Sequence, residues 1–165
     1  MLLCAGFGYE NKGEFMRGYY GIGIYNGKDL DNIGTLWRSA NIFGAKFIFT
    51  IGKRYPKKQA GDTMQTPRHV PLYEHDTWED FKKSIPRGCK IIAIELDNNS
   101  KPIKNFIHPE QAIYILGAED SGIPENILNE CDGIIQLPGD YCLNVSVSGS
   151  IVMFDRLNKN TKTGT

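Results

Sequence analysis

The feature that most constrains the fold is a set of short, nearly uninterrupted apolar segments that do not alternate with polar residues. Residues 19–25, 46–51, 90–96 and 112–117 have this character, and residues 134–137 form a shorter segment of the same kind. Such segments are typical of strands buried on both faces, which occur in parallel sheets covered by helices. Segments with helical features separate them. The sequence therefore predicts the α/β class, with a mostly parallel sheet flanked by helices.

Capping residues and apolar spacing predict helices between these strands. The first begins at a cap on Asp31 or Asn32 and ends at Gly44. Shorter helices are expected over residues 77–84 and 124–131, and a last one over residues 144–158. Two stripes follow this last helix at helical spacing: an apolar stripe of Val147, Ile151 and Phe154, and a small stripe of Ser146, Gly149, Ser150 and Met153.

A chain of 165 residues without an internal repeat or a low-complexity linker fits one domain. We predict a domain over residues 16–158, between an N-terminal tail of residues 1–15 and a C-terminal tail of residues 159–165. The first fifteen residues are either a flexible tail or sequence read from an upstream start codon. They lack the basic region and the long apolar segment of a signal peptide.

Charge and composition argue against several functional classes. Nineteen basic and nineteen acidic residues give no net charge, which disfavours a polybasic binder but is compatible with a local basic patch. The apolar segments are far shorter than the ~20 residues of a membrane-spanning helix. The four cysteines form no CxxC pair and lie far from the histidines, so we expect no metal site. Their mostly apolar surroundings favour reduced thiols and a cytoplasmic protein.

The first of three segments that could carry chemistry is N-I-G-T-L-W-R-S-A at residues 32–40. It places Asn32 where a strand passes into a helix, and Arg38 within that mostly apolar helix. A guanidinium beside an indole on a largely buried helix needs an anion or another acceptor nearby. Both a structural salt bridge and a functional contact fit this segment.

Two further glycine-bearing segments follow predicted strands. Residues 115–124 contain Glu119 and Asp120 between two glycines, and residues 136–150 contain a proline turn and then Asn144, which can cap the last helix. Ligands of parallel sheets bind beyond the carboxyl ends of strands, where glycines let the backbone come close. Plain strand-to-helix turns have the same composition. Neither segment has the Lys-Ser/Thr ending of a phosphate-binding P-loop.

Taken together and in this order, the three segments resemble the SpoU (TrmH-type) branch of the SPOUT RNA 2′-O-ribose methyltransferases. The matching elements are NxGxxxRxA at residues 32–40, LGxExxGI at residues 116–123, and a Leu-Pro pair followed by LNVSV within residues 137–147. The resemblance extends over residues 19–155. It implies an α/β knot fold with a deep C-terminal trefoil knot, S-adenosylmethionine (S-adenosyl-L-methionine) bound in that knot, and a homodimer.

The resemblance assigns roles to particular residues. Arg38 corresponds to the catalytic arginine of the family, and three other polar residues match its motifs: Asn32, Glu119 and Asn144. The cofactor is expected to be held by residues at and beyond strand ends: Ile94, Glu95, Gly117, Leu137, Cys142 and Leu143. Leu137 and Leu143 are expected to sandwich the adenine. Cys142 departs from the family pattern, in which a serine commonly precedes the Leu-Asn pair.

The implied reaction is an in-line attack of a ribose 2′-hydroxyl on a sulfonium methyl group. Arginine is a costly base, because deprotonating a group with a pKa of ~12.5–13.8 at pH 7 takes roughly 7–9 kcal/mol. Arg38 is either deprotonated locally or stays charged and stabilises the developing alkoxide, and this cost favours the charged form.

A local basic cluster is the expected RNA contact of this otherwise neutral chain. It comprises Lys53, Arg54, Lys57, Lys58 and Arg68, with Tyr55 among them. A solvated loop is the alternative interpretation. Because the chain is minimal, we expect tRNA as the substrate, with rRNA as the second candidate.

Two other functions fit the sequence less well than an RNA methyltransferase. One is a knotted RNA-binding or assembly protein without turnover, which the complete set of motif residues disfavours. The other is an unrelated nucleotide-binding α/β enzyme. For the methyltransferase we expect a homodimer whose interface includes the small stripe of the last helix, and packing of that stripe on the domain's own sheet is the rival expectation.

Overall fold

A computed structural model describes residues 18–55, 68–139 and 141–160, and these residues form seven strands and four α-helices. The strands are β1 (Tyr19–Tyr25), β2 (Phe47–Ile51), β3 (Leu72–His75), β4 (Lys90–Ile94), β5 (Lys101–Pro102), β6 (Gln111–Leu116) and β7 (Gly133–Gln136). The helices are α1 (Leu30–Phe43), α2 (Trp78–Ser84), α3 (Glu125–Leu128) and α4 (Val145–Asn160), with a short 3₁₀ turn at Ile103–Asn105.

The described strands form one sheet in the order β3-β2-β1-β6-β4-β7-β5, and all neighbours pair in parallel. This arrangement confirms the predicted α/β class and the mostly parallel sheet. The sequence pattern misses β3 and β5, because both are short edge strands with little apolar content. Strand pairing does not test the C-terminal trefoil knot, which stays a prediction.

The core consists of two layers, one on each face of the sheet. α1 and α4 cover one face, where Ile22, Leu36 and Met153 are buried. α2 and α3 cover the other face, where the Phe49 ring stacks on the Phe81 ring at a centroid distance of 4.6 Å. Because both faces are covered, the central strands have no need for polar residues at alternate positions.

Capping residues explain where α1 begins and ends. The Asp29 side chain is the N-cap and accepts a hydrogen bond from the Asp31 N–H at 2.8 Å, so the predicted cap on Asp31 or Asn32 is wrong. Asp29 takes this role because its backbone is still extended, with a φ of −91° and a ψ of 114°. The predicted end at Gly44 is confirmed, since this glycine has a φ of 79°, the left-handed conformation that commonly ends helices.

The small stripe of α4 faces the interior of the chain. Ser146 and Met153 are buried, and a Cβ atom added at Gly149 would overlap the Leu36 side chain of α1. Ser150 donates a hydrogen bond to a serine hydroxyl of α1 at 2.8 Å. Gly149 and Met153 therefore bring α4 close to α1 and the sheet, as the rival expectation holds. Ser146 and Ser150 also line a groove on the surface of α4, so contact of this stripe with a second subunit stays a prediction.

The apolar stripe of α4 faces outward. Val147, Ile151 and Phe154 are 46%, 37% and 53% exposed, and with Thr35 of α1 they line a shallow groove of about 290 Å³. We call the three exposed apolar side chains the α4 face. An uncovered row of large apolar side chains is typical of surfaces that bind a partner.

The end of α4 differs slightly from the predicted domain boundary at residue 158, because the helix continues to Asn160. Lys159 accounts for the extension, since its ammonium group donates to the backbone oxygens of Ile103 and Phe106. The predicted tail over residues 1–15 lies outside the described residues. None of the described helices is long and apolar enough to cross a membrane.

Candidate active site

A cavity of about 420 Å³ opens where β4, β6 and β7 end, at the carboxyl edge of the sheet. Parallel strands that point the same way share this edge, so the loops that follow them meet there. The volume lies in the usual range for small-molecule sites. All six residues expected to hold a cofactor line this cavity: Ile94, Glu95, Gly117, Leu137, Cys142 and Leu143.

The loop between β6 and α3 folds tightly against the end of its own strand. The Gly122 N–H donates to the Ala118 backbone oxygen at 2.9 Å, and Gly122 has a φ of 62°. A Cβ atom at Gly117 would overlap the Gly122 backbone, so this close approach requires glycine at position 117. The tight turn places Glu119 on the cavity rim.

Glu95 connects the end of β4 to this loop. Its Oε2 atom accepts a hydrogen bond from the Ile123 N–H at 3.0 Å, and its Oε1 atom accepts one from the Leu96 N–H at 3.1 Å. Both carboxylate oxygens therefore have backbone partners within the cavity wall. The side chain that was expected to hold a cofactor thus also holds the wall of the cavity in place.

Three of the four predicted catalytic residues form one hydrogen-bonded chain. The Asn32 amide donates to Glu119 Oε1 at 2.6 Å, and the Asn144 amide donates to Asn32 Oδ1 at 2.8 Å. Asn144 Oδ1 in turn accepts the backbone N–H groups of Ser146 at 2.9 Å and Val147 at 3.3 Å, so Asn144 caps α4 as predicted. The chain therefore joins the first turns of α1 and α4 to the β6–α3 loop.

The charge of Glu119 keeps this chain in one orientation. Partial burial alone would raise the pKa of its carboxyl group, but hydrogen bonds from the Asn32 amide and from backbone N–H groups, including those of Lys28 and Asp29, lower the pKa below its usual value. An ionised carboxylate only accepts hydrogen bonds. The Asn32 amide nitrogen must therefore face Glu119, which leaves the Asn32 oxygen for Asn144.

Lys28 connects the β1–α1 loop to the β6–α3 loop through a hydrogen bond and an ion pair. Its backbone N–H donates to Glu119 Oε2 at 3.4 Å, and its ammonium group pairs with Asp120. The Lys28 hydrogen bond is the main reason why the pKa of Asp120 is lowered. Sequence reasoning missed Lys28, because the ion pair joins residues 92 positions apart and has no local signature.

Arg38, the fourth predicted catalytic residue, lies apart from the other three. It is six residues beyond Asn32 on α1, which rotates it about 240° around the helix. Its side chain is exposed, and it does not line the cavity. One turn of helix separates it from Thr35, which lines the groove beside the α4 face. The structure of one chain thus places Arg38 next to the groove rather than in the cavity.

Three cations of the predicted basic cluster lie within the residues that the structure describes. Lys53, Arg54 and Arg68 are exposed, and Arg54 pairs with Asp76 at 3.2 Å. Two further members, Lys57 and Lys58, lie outside the described residues. The Tyr55 ring, the aromatic member of the cluster, is 4% exposed and packs edge-on against the Trp37 ring at 6.0 Å, so it cannot stack on an RNA base.

The described residues hold no group of three or more His, Cys, Asp or Glu side chains arranged to bind a metal ion. Three free cysteines are described, and one of them, Cys142, is exposed at the cavity. Tyr141, which is not among the predicted site residues, lies beside Cys142 on the rim of the cavity. Its only signal in the sequence is its position within the third glycine-bearing segment.

Comparisons with known proteins agree with this architecture. The model of a family described as the SpoU rRNA Methylase family matches residues 21–154. An uncharacterized tRNA/rRNA methyltransferase of Archaeoglobus fulgidus is 25% identical over 157 residues, which cover 91% of this chain and 69% of the relative. A tRNA (cytidine(34)-2′-O)-methyltransferase of Ancylobacter novellus is 22% identical over 153 residues, which cover 87% of this chain and 97% of the relative.

Other relatives are much longer, and this chain spans 48% of one and 8% of another. Among solved structures, the AdoMet-bound rRNA methyltransferase from Sinorhizobium meliloti is similar with a TM-score of 0.76 at 20% sequence identity. The similarity covers 86% of this chain and 57% of that enzyme. At this level of identity the structural match supports the fold.

Proposed function

The chain belongs to the SpoU rRNA methylase family, and on this premise we propose that it is an RNA methyltransferase that moves the methyl group of S-adenosylmethionine to a ribose 2′-hydroxyl. One observation carries this proposal. The cavity at the carboxyl edge of the sheet is lined by every residue expected to hold the cofactor, and Glu119 on its rim joins Asn32 and Asn144 in one hydrogen-bonded chain.

The cavity suits a nucleoside cofactor. Leu137 and Leu143 supply apolar walls for an adenine ring, and the strand-end loops offer backbone groups that can bind its edges. Gly117 lets the Gly122 backbone pack against the end of β6, which holds the loop at the cavity wall. When bound, the cofactor supplies an electrophilic methyl group on a sulfonium centre. The residues of this chain hold and orient the reactants, which by itself supplies much of the acceleration.

The chain of Glu119, Asn32 and Asn144 acts as a brace for this site. It fixes the β6–α3 loop relative to the first turns of two helices, with an ionised carboxylate at one end and a capped helix at the other. The Asn32 amide donates to Glu119 through its nitrogen and accepts from Asn144 through its oxygen, so it has only one orientation. An in-line reaction depends on the orientation of the reactants, so it benefits when the loop and the helix ends around them are held in place.

The one cation that the described part of the chain shows on a cavity carboxylate, Lys28, is paired with Asp120 on the rim. None of the described residues that line the cavity is a lysine or an arginine. A 2′-hydroxyl that loses its proton develops negative charge, and a nearby guanidinium stabilises such charge strongly when water is excluded. Arg38 is the family's arginine and stays charged in this proposal, since its deprotonation costs roughly 7–9 kcal/mol at pH 7.

A homodimer would bring Arg38 to a cavity. We propose that a second copy covers the α4 face, whose apolar side chains Val147, Ile151 and Phe154 stay 37–53% exposed in the described chain. Arg38 is one helical turn from Thr35 in the adjoining groove, so a partner seated there meets Arg38. Each active site would then combine the cavity of one protomer with Arg38 of the other.

We propose tRNA or rRNA as the substrate class, the two kinds of RNA that the names of the relatives give. Lys53, Arg54 and Arg68 are exposed beyond the sheet and, with Lys57 and Lys58, supply the cationic surface for RNA phosphates. We place the protein in the cytoplasm, where its free thiols stay reduced. The methyltransferase domain is proposed to span residues 16–158, with α4 continuing to Asn160.

The test is methyl transfer from tritium-labelled cofactor to total RNA from cells that lack the gene, followed by nucleoside mass spectrometry. The wild-type protein should produce a 2′-O-methylated nucleoside. Arg38→Ala should lower the rate by about 100-fold or more, while binding of S-adenosylhomocysteine persists. Arg87→Ala, which changes an exposed arginine in the loop before β4, is the matched control and should stay at the wild-type rate.

Two outcomes would contradict the proposal. RNA binding without any methyl transfer by the wild-type protein would favour the catalytically silent RNA-binding alternative. Transfer by Arg38→Ala at the wild-type rate would remove Arg38 from the mechanism.

A further inference from the structure

Three large apolar side chains form an exposed lip around the cavity. Leu96, Tyr141 and Leu143 all line it and all remain exposed, and Tyr141 reaches 90% exposure. Tyr141 is also the only aromatic residue among the described cavity-lining residues. A ring this exposed contributes nothing to the packing of the described chain. Uncovered apolar groups gathered at the mouth of a cavity are typical of a ligand contact.

The charges of the cavity decide which part of an RNA can approach this lip. Its walls carry the carboxylates of Glu95, Glu119 and Asp120, and none of the described lining residues is a cation. Lys28, which does not line the cavity, pairs with Asp120, so Glu95 and Glu119 supply the net negative charge. Phosphate groups are repelled from such a surface, whereas an uncharged nucleobase is not. The apolar lip and the acidic wall together favour a base over the RNA backbone at this position.

Geometry makes the base of the reacting nucleotide the relevant one. If a ribose 2′-hydroxyl reaches the methyl group in the cavity, the base on the same ribose must lie close to the rim. Tyr55, the aromatic residue of the basic cluster, is buried against Trp37 and cannot receive it. Tyr141 is exposed and lies at the rim of the cavity, so its ring can receive this base.

We propose that Tyr141 is the stacking platform for the nucleobase of the methylated nucleotide. This inference rests on the proposed function and names the residue that positions the target. A tyrosine offers a large, rigid ring with little conformational entropy to lose, and every base has a face that can stack on it. Tyr141 therefore contributes affinity and orientation for the target nucleotide, while it does not select which base is methylated.

The first experiment compares Tyr141→Ala and Tyr141→Phe in the full chain, with RNA from cells that lack the gene. Tyr141→Ala should raise the KM for RNA by about fivefold or more, the loss that one stacked base accounts for. Tyr141→Phe keeps the ring and should restore the wild-type KM. Calorimetric binding of S-adenosylhomocysteine should be unchanged in both variants. Tyr73→Ala, at an exposed tyrosine of the edge strand β3, is the matched control.

The second experiment reads stacking without turnover. Tyr141→Trp adds an exposed indole to a chain whose two tryptophans, Trp37 and Trp78, are buried. Twelve-nucleotide oligo(A) should quench this added fluorescence, and an abasic ribose oligomer with the same number of phosphates should quench it far less. The signal depends on base contact alone, so it remains informative even if no RNA is methylated.

Several results would overturn the proposal. Equal quenching by the abasic oligomer would show an electrostatic contact instead of stacking. Weaker cofactor binding by Tyr141→Ala, with an unchanged KM for RNA, would assign the ring to the cofactor. Wild-type values for Tyr141→Ala in every assay would leave the ring without a role. If oligo(A) quenches the indole but the wild-type protein methylates no RNA, the proposed function fails while the stacking contact stands.

Discussion

The side-chain amide of Asn144 donates a 2.8 Å hydrogen bond to the side-chain oxygen of Asn32, across 112 positions of sequence. This bond joins the first turns of α1 and α4 beside the cavity. Asn32 continues the contact to Glu119, so the first turns of two helices and the β6–α3 loop, all remote in sequence, share one hydrogen-bonded chain. Removing Glu119 or Asn144 leaves the buried Asn32 amide without one of its hydrogen bonds, which costs more than the bond itself contributes.

Asn32→Asp tests the brace with almost no change in shape. The new carboxylate would face the ionised Glu119 in place of an amide donor at 2.6 Å, and repulsion would replace the hydrogen bond. We expect the free energy of unfolding to fall by about 2 kcal/mol and methyl transfer to be lost. Urea denaturation and tritium transfer measure the two effects. Asn41→Asp, on the same helix, is the control. An Asn32→Asp variant as stable and active as wild type would contradict the role of Asn32.

Gly149→Val tests whether the small stripe of α4 faces the core. A Cβ atom at this position would overlap Leu36, and it would also crowd the terminal methyl groups of Leu116 and Ile22. Overpacking of this kind lowers the free energy of unfolding by about 1–3 kcal/mol. Urea denaturation should show that loss. A variant with wild-type stability but a lower oligomeric state would instead place the stripe at a subunit interface.

Ile151→Lys tests the α4 face as the surface that a second copy covers. The side chain is exposed within one chain, so lysine there should leave the folded protomer intact. We expect sedimentation to show a dimer for the wild type and a folded monomer for the variant, with methyl transfer reduced because Arg38 no longer reaches the partner's cavity.

The control for this variant is Ile107→Lys, which changes an 88% exposed isoleucine outside the α4 face. This variant should remain dimeric and active. If Ile151→Lys also remains dimeric, the interface lies elsewhere on the molecule.

Cys142→Ser restores the residue that the family commonly has before its Leu-Asn pair. The thiol is exposed at the cavity, and a hydroxyl of similar size keeps the backbone of the loop unchanged. We expect the rate of methyl transfer to stay within about an order of magnitude of wild type, because one hydrogen bond contributes only ~0.5–1.5 kcal/mol. Complete loss of activity in a folded variant would reveal a specific function of the thiol.

His108 should make the stability of the fold depend on pH. Its ring nitrogens contact the Tyr114 hydroxyl at 2.6 Å and Asp155 Oδ2 at 2.8 Å. Burial lowers its pKa, an effect that the positive charges of Arg156 and Lys159 reinforce and that Asp155 opposes. The folded state therefore binds a proton less readily than the unfolded state, so stability is present above pH ~6.5 and is lost as the pH falls below it.

The measurement is the urea midpoint of the wild type and of His108→Gln at pH 7.5 and pH 5.5. The wild type should lose more stability between these values than the variant does, by at most about 1.4 kcal/mol per pH unit for one site. Equal losses would show that His108 does not carry the pH dependence.

The sequence alone determined the fold class and the convergence of the site. Apolar segments without alternation predict a parallel sheet, and parallel strands carry all following loops to one edge. Three residues expected to hold the cofactor, Glu95, Gly117 and Leu137, directly follow three such strands, so their meeting at one cavity is a consequence of the topology. The end of α1 at Gly44 was likewise predictable, because left-handed glycine ends helices through a local effect.

Only the tertiary structure decided which faces are covered. Helical spacing defines two stripes on α4, but it does not tell which of them lies against α1. In the structure Gly149 of the small stripe packs against α1, because glycine permits the closer approach. Tyr55 looked like a surface residue among cations, yet Trp37 lies where it can bury the ring. The partner of Lys28 and the exposure of Tyr141 likewise depend on loops far apart in sequence. Local patterns reflect the preferences of a segment, whereas burial and long-range pairing are properties of what packs against it.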